Sequence, residues 1–493
     1  MADTAIRVRM APSPTGFFHV GSARTALFNF LFARHNRATF VLRIEDTDQS
    51  RGSDEYERVI YDALDWLGLF PDEGPKQGGA YGPYRQSERG ATYTALAQEL
   101  LRAGHAYYAF ETADELKAMR EEQQANKLPP RYNGAHRDLT PEQIEGFRAQ
   151  GHPGVVRLRV PDGETRFDDA VYGTITWKNA EIDDFVILKS DGGPTYNFAC
   201  ACDDHLMAIT HVIRGEDGLS NTPRQLLIYR AFGWEPPKFA HLPFLLGLDR
   251  KKLSKRTGSV NLLDFGKRGV LPDAMFNFLA LLGWNPGSGE EQELFSRQEL
   301  IARFSLEGVN KAGAIFDEKR LAWMNAETLK ALPLDEFIEL VRPALAEFDS
   351  SDEAYAQRAI EMARERIHGL PDIVEGDLAD KVYGVSNFDK GVRYFFSDDF
   401  PLDAAGAGKH LTPDNRALLG RLADKLDALG SFDVASIEGA IRALAEEASV
   451  KVAQIVHPTR LAVSGVTVGP SLWELLEALG RERVVRRLRK MSA

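Results

Sequence analysis

The sequence predicts an α/β fold interrupted by an inserted domain and followed by a helical half. Three observations predict it. A strand with period-two apolar spacing at the start leads through a proline-broken loop into a helical stripe, a second apolar strand ends on acids at Glu45 to Asp48, and leucine stripes take over after about residue 260. At 493 residues the chain is long enough for three or more domains.

The first strand is carried by Ile6, Val8 and Met10, with Arg7 and Arg9 on the alternate face. Pro12, Pro14 and Gly16 then forbid regular structure. From Gly21 onward Ala23, Leu27, Phe30 and Leu31 form a helical stripe, for which Ser22 is the expected N-cap. A helix N-terminus that follows a buried strand presents free N–H groups and partial positive charge, so it stabilises an anion. His19 adds a directional donor, and Gly21 allows close approach to the backbone. Neither G-x-G-x-x-G nor G-x-x-x-x-G-K-[ST] occurs there, which disfavours a dinucleotide fold and a P-loop.

The second strand, Thr39-Phe-Val-Leu-Arg-Ile44, runs into Glu45-Asp-Thr-Asp48, and active-site side chains gather at such carboxyl ends of strands in open α/β sheets. Residues 86–190 are richer in polar and turn residues and interrupt this pattern. It resumes near Phe185-Val-Ile-Leu188 and runs to a basic loop with Lys251, Lys252, Lys255 and Arg256, joined by Ser254 and Gly258. Taken alone such a run reads as a solvated loop. Paired with the His19 segment it reads as a second phosphate grip. Beyond it, Thr412 caps and Pro413 starts a helix with a stripe of Leu418, Leu422, Leu426 and Leu429, stopped by Gly430. Ser436 to Ala448 repeats the style.

Composition bounds the function. No apolar run reaches the ~18 residues that a membrane helix needs, and no basic segment precedes an apolar core as in a secretory leader. A cytoplasmic protein without membrane contact is expected. The net charge of −12 argues against nucleic acid as a partner only if averaged over the chain. Locally, Arg481, Arg483, Arg486, Arg487, Arg489 and Lys490 cluster, either as a helix end complementing its dipole or as an RNA contact. The two cysteines, Cys200 and Cys202, would point to the same face if they lay on a strand and could not bond each other there without distortion, and they read as buried packing thiols.

These residues carry a resemblance. The segment ending His19-Val-Gly21 resembles the HIGH signature of class I aminoacyl-tRNA synthetases, and Lys252-Leu-Ser-Lys-Arg256 resembles their KMSKS loop. The likeness is closer still to the bacterial glutamyl-tRNA synthetases, through Arg9-Met-Ala-Pro-Ser-Pro-Thr-Gly16, Arg43-Ile-Glu-Asp-Thr-Asp48, Gly82-Pro-Tyr-Arg-Gln-Ser87, Pro194-Thr-Tyr-Asn-Phe198, Val212-Ile-Arg-Gly-Glu-Asp217 and Trp323-Met-Asn325. It covers essentially the whole chain. It implies a Rossmann-like catalytic domain at 1–85 and 191–260, split by an α+β acceptor-end-binding insertion at 86–190. A helical stem-contact domain follows at 261–333, then helical anticodon-binding domains at 334–390 and 391–493. Glutaminyl enzymes carry β-barrels where this chain is helical.

The resemblance also implies chemistry. L-glutamate would be activated by ATP to glutamyl-adenylate and transferred to the 3′ end of tRNA(Glu), with Mg²⁺ held mainly by phosphates. His19, Lys252 and Lys255 would stabilise the reacting phosphates. Thr15, Gly16, Gly21, Leu253, Ser254 and Arg256 would complete the ATP site with His19 and Lys255. Glutamate would meet Glu45 at its amino group and Arg9, Ser13, Tyr196, Cys200 and Arg214 around its side-chain carboxylate, with Cys200 standing where some relatives have asparagine. An arginine suits a carboxylate because its planar fork donates two parallel hydrogen bonds. Arg366 would read the third anticodon base, which favours a discriminating enzyme that rejects the glutamine tRNA. The zinc site of some relatives lacks its cysteines in Ala106–Glu111 and Arg131–Arg137, so no structural zinc is expected, and His136 reads as a surface or RNA-facing residue. A monomer is expected.

Plainer readings stand beside these. Arg9 could be an exposed strand arginine, Tyr196 a core aromatic, Arg214 half of an ion pair with Glu216 or Asp217, and Arg366 a helix-surface arginine paired with Glu361 or Glu365. A metabolic nucleotidyltransferase shares the histidine and lysine signatures but has no use for the long helical extension. A non-catalytic tRNA-binding paralogue would be expected to lack His19 or Lys255.

Overall fold

The computed structural model describes residues 5–14, 16–47, 54–253, 260–287, 291–342, 352–364 and 388–493. The chain forms two compact units, Met1–Leu263 with Phe276–Asp317, and Asp264–Met275 with Glu318–Ala493.

In the first unit β1 (Arg7–Met10) and β2 (Thr39–Leu42) pair in parallel, Arg7 opposite Thr39 and Met10 opposite Leu42, with α1 (Val20–His35) as the crossover that parallel neighbours require. Every residue of β1 is buried, including both arginines placed on its alternate face. A parallel strand covered on both faces must pair its charges. Arg7 donates to both carboxylate oxygens of Glu73 at 2.8 Å, and Arg9 donates to Asp204 at 3.0 Å. After α2 (Asp54–Leu67) and α3 (Gly90–Arg102), the polar stretch folds as β3 (Ala106–Ala109), α4 (Ala113–Ala125), α5 (Pro141–Ala149), β4 (Val155–Leu158), β5 (Glu164–Asp169), β6 (Gly173–Lys178) and β7 (Val186–Leu188). Both helices of this stretch begin with capping boxes, Thr112 with Glu115 and Thr140 with Gln143. His136 is half-buried: its Nδ1 accepts from the Phe110 amide at 3.0 Å, and its ring lies against the stacked pair Phe110 and Phe147.

The chain then returns as α6 (Tyr196–Leu206), β8 (His211–Gly215), α7 (Thr222–Phe232), β9 (Lys238–Leu242) and β10 (Leu245–Leu246). β8 and β9 are parallel, and β1 meets the approach to β8 where the Thr210 amide donates to Arg7 O at 3.0 Å. β5 and β6 form an antiparallel hairpin whose Asp169 pairs with Phe239 of β9, so the stretch read as an insertion is hydrogen-bonded into the main sheet. Cys200 and Cys202 lie on helix α6, not on a strand, and both are buried free thiols. Helices α8 (Leu262–Lys267), α9 (Pro272–Ala280) and α10 (Arg297–Arg303) and strand β11 (Ala314–Ile315) follow.

The second unit is helical: α11 (Glu318–Ala331), α12 (Leu334–Val341), α13 (Glu353–Arg364), α14 (Phe388–Phe396), α15 (Ala404–His410), α16 (Pro413–Asp427), α17 (Val434–Glu447), α18 (Ala453–Ser464), α19 (Leu472–Leu479) and α20 (Arg481–Ser492). As the sequence predicts, Thr412 caps α16 and Pro413 opens it, while the buried stripe is Leu419, Leu422, Ala423 and Leu426, with Leu418 only partly covered. The helix ends before Gly430. Its stripe shares one core with Ile441, Leu444, Leu475, Leu476 and Leu488.

Candidate active site

His19 caps α1, with extended backbone and its Nδ1 accepting from the Gly21 amide at 2.9 Å. The cap is therefore the histidine and not Ser22, because the ring nitrogen reaches the second amide of the helix. Accepting at Nδ1 puts the proton of a neutral imidazole on Nε2, a donor directed away from the helix. A Cβ on Gly21 would stand 3.2 Å from His19 Nδ1, so glycine keeps this cap unstrained.

Beside this helix start lies a cavity of about 420 Å³ whose wall includes His19, Gly21, Arg9, Ser13, Glu45, Tyr196, Arg214, Lys252 and Leu253. Lys252 arrives on a return of chain after β10: Leu253 N donates to Leu245 O at 2.8 Å, and the Lys252 ammonium sits 4.0 Å from the Phe244 ring centre. The described parts of the two signature segments, His19 to Gly21 and Lys252-Leu253, thus converge on one hollow.

A buried charge network lies beside it and reaches its wall through Arg9 and Glu45. Asp204 accepts from Arg9 Nε at 3.0 Å and from Arg43 Nη1 at 2.7 Å, and Arg43 Nη2 donates to Glu45 at 2.9 Å. Burial opposes the Asp204 charge, but the two guanidiniums overcome it and hold the carboxyl at about 2. Burial lifts the Glu45 carboxyl above its ordinary value against the pull of Arg43. Arg24, also on the wall, is buried and among the described residues donates only to the Pro243 and Leu282 carbonyls, and desolvation lowers its pKa to about 10.

Arg214 differs from Arg9 and Arg43. Its Nε donates to His241 Nε2 at 3.1 Å, and its Nη2 donates to Gly218 O at 3.0 Å and Thr222 Oγ1 at 2.6 Å. None of these acceptors is a carboxylate, and neither Glu216 nor Asp217 takes the role. Among the described residues its buried Nη1 has no hydrogen-bond partner. Such an atom on a cavity wall fits an incoming anion.

Comparison with known proteins decides the family. Residues 5–323 match the model for the catalytic domain of class I tRNA synthetases (E and Q), and residues 336–492 match an anticodon binding domain. A glutamate–tRNA ligase of Chlorobaculum parvum is 45% identical, over 99% of this chain and 98% of its own. One from Syntrophomonas wolfei is 44% identical, over 98% and 96%. The chain belongs to the glutamate–tRNA ligases. The fold agrees: a glutamate tRNA ligase from Elizabethkingia meningosepticum, solved in complex with its amino acid, superposes with a TM-score of 0.87 at 34% identity, covering 99% of both chains.

In this ligase the hollow gathers His19, Gly21, Lys252 and Leu253 from the expected ATP set and Arg9, Ser13, Glu45, Tyr196 and Arg214 from the expected glutamate set. Gly16 is not on the cavity wall. Nor is Cys200, which lies fully buried behind it, its sulfur 3.7 Å from Arg43 Nη2 and 3.6 Å from Asp204. Thr15, Ser254, Lys255, Arg256 and Arg366 lie outside the described residues. Sequence reasoning assigned no role to Arg24, Arg43, Asp204, Asp169 or His241. A signal existed for Asp204: an acid four residues after Cys200 on the same helix faces the same way. Asp169 and His241 had none, because only the pairing of β5 with β9 brings them together.

Proposed function

We propose that this glutamate–tRNA ligase forms glutamyl-adenylate in the cavity at the start of α1. The α-carboxylate of glutamate attacks the α-phosphorus of ATP and pyrophosphate leaves. The N-terminus of α1, the Nε2–H of His19 and the ammonium groups of Lys252 and Lys255 stabilise the charge that builds on the phosphates. Thr15, Gly16, Gly21, Leu253, Ser254 and Arg256 complete the ATP contacts. A terminal ribose hydroxyl of tRNA(Glu) then attacks the mixed anhydride and releases AMP. The reaction needs positioning and preorganised charge more than a protein nucleophile.

The observation that carries the substrate assignment is Arg214, a buried guanidinium on the cavity wall with neutral acceptors and an unpartnered Nη1. Leaving such a charge unmatched costs several kcal/mol, so the site favours glutamate's second carboxylate over a neutral amide. Arg9, Ser13 and Tyr196 would support the same end of the substrate, with Cys200 acting from behind the wall beside Arg43 and Asp204, and Glu45 would meet its ammonium. No cluster of three or more His, Cys, Asp or Glu suited to a metal occurs among the described residues. In this reading Mg²⁺ travels with the nucleotide's phosphates and no step is assigned to it through protein ligands.

The six-part division at 1–85, 86–190, 191–260, 261–333, 334–390 and 391–493 remains the proposed domain plan, with Arg366 reading the third anticodon base of tRNA(Glu) in a discriminating, monomeric, cytoplasmic enzyme. No helix among the described residues is long and apolar enough to cross a membrane. Pyrophosphate exchange with glutamate, run with and without tRNA, and aminoacylation of separately purified glutamate and glutamine tRNAs test this reading. Activity on the glutamate tRNA alone is expected, and equal charging of both would overturn the discriminating assignment. Lys252→Ala is expected to slow activation about 10²-fold; a near-normal exchange rate would remove it from the mechanism.

A further inference from the structure

We propose that Asp169 and His241 are positioning residues that hold Arg214 ready for the substrate's side-chain carboxylate. The proposal rests on the reading of Arg214 given above.

The three residues form a buried chain. Asp169 Oδ2 lies 2.6 Å from His241 Nδ1, with both side chains wholly inaccessible to water, and His241 Nε2 lies 3.1 Å from Arg214 Nε. Asp169 Oδ1 also accepts the amides of Val171 at 3.0 Å and Tyr172 at 2.9 Å, and its Oδ2 accepts the His241 amide at 3.2 Å. An acid so surrounded by donors stays ionised, so Nδ1 of His241 must carry the proton and donate it. Nε2 then keeps its lone pair. Arginine can only donate, so this tautomer is the one that can accept from Arg214.

The arrangement solves a specific problem. A carboxylate placed directly on Arg214 would orient it but cancel its charge, leaving little attraction for the substrate. A neutral imidazole between acid and arginine supplies direction without neutralisation, and Asp169 remains one ring further away. Gly218 completes the seat: a Cβ there would come within 2.5 Å of Arg214 Nε and 2.7 Å of its Cδ.

The groups facing His241 are Asp169 from β5, Arg214 from β8, Thr222 from α7 at 3.1 Å from Nε2, and the rings of Phe167 and Phe239, with the Arg9 charge beyond them. Burial pushes the His241 pKa below its ordinary value although Asp169 pulls it upward. Protonation at acid pH would set two donors against each other at Nε2 and loosen Arg214.

The test measures KM for glutamate and for ATP, with kcat, across pH in the full-length enzyme. Variants are Asp169→Asn, His241→Gln and Arg214→Ala, each checked by circular dichroism. Asparagine at 169 keeps the shape but presents an N–H to Nδ1, forcing the proton onto Nε2. Asp169→Asn is expected to raise the glutamate KM about tenfold or more, the effect of one hydrogen bond to a charged group, with the ATP KM unchanged. His241→Gln, whose amide oxygen can still accept from Arg214, is expected to retain more glutamate affinity than Asp169→Asn. It is also expected to lose the wild-type rise in glutamate KM as pH falls. If Asp169→Asn does not fold, this flattened profile decides the matter alone. A glutamate KM within about twofold of wild type in Asp169→Asn, equal losses for both substrates, or an unchanged pH profile in His241→Gln would overturn the relay while leaving Arg214 in place. An Arg214→Ala enzyme with normal glutamate KM would sink the underlying reading instead, and the relay with it.

Discussion

Asp204 sits between Arg9 and Arg43 with almost no exposure, and together with Glu45, which also pairs with Arg43, it balances two buried cations beside the cavity. Removing one member of such a group costs about 3–5 kcal/mol, so Asp204→Ala is expected to lower the urea midpoint sharply. The pH dependence follows from the depressed pKa. An acid that titrates at 3.8 when unfolded and about 2 when folded contributes stability that is complete above the first value and lost as pH falls toward the second. Denaturation curves through that window are expected to show the loss in wild type, and a slope unaltered by Asp204→Asn would contradict the assignment. Gly218 gives a second expectation at this scale. Gly218→Ala drives a Cβ into Arg214 and is expected to weaken glutamate several-fold while sparing ATP, measurable as separate KM values. Arg9, Glu45 and Arg214 were legible in the sequence as pocket candidates, but their partners were not. Asp204 and His241 are ordinary polar residues until folding puts them within hydrogen-bond reach.

Among the elements, α16 was the most readable, since threonine, proline and a leucine stripe act locally. Leu422 is fully buried in the helical core, and Leu422→Ala is expected to cost about 2–5 kcal/mol in chemical denaturation. Thr412→Ala removes a cap whose Oγ1 accepts the Asn415 amide at 3.4 Å, with an expected loss of ~1 kcal/mol or less for so long a bond. One local expectation failed for a reason that is itself local. Ser22 yielded the cap of α1 to His19, whose ring nitrogen takes the Gly21 amide two residues on, while the segment with both cysteines, buried thiols as expected, is helix α6. Alternation in β1 was real, yet its polar face is buried because neighbours supply Glu73 and Asp204.

For the molecule as a whole, charge was the least transferable signal. The basic run at the end of the chain looked equally like a helix terminus or an RNA contact, and within the helical unit most of it has internal partners. Arg487 donates to Asp398 at 2.8 Å, Arg486 to the same acid at 2.9 Å, Arg489 to Asp424 at 3.2 Å and Asp427 at 3.0 Å, and Arg483 to Tyr355 and the Phe395 carbonyl. Arg489→Ala is therefore expected to leave tRNA charging within about twofold of wild type, because an exposed ion pair contributes little. A large rise in the tRNA KM would restore the RNA-contact reading.

By itself the sequence determined the mixed α/β start and the helical later half, the family, and the approach of His19 and Lys252 to one cavity. Hydrophobic period, turn residues and short motifs are written along the chain. Only the tertiary structure decided that Asp204 and Glu45 balance Arg9 and Arg43, and that Asp169 and His241 lie behind Arg214. Those facts depend on which strands pair and which buried groups then come within about 3 Å, distances that spacing along a chain does not contain.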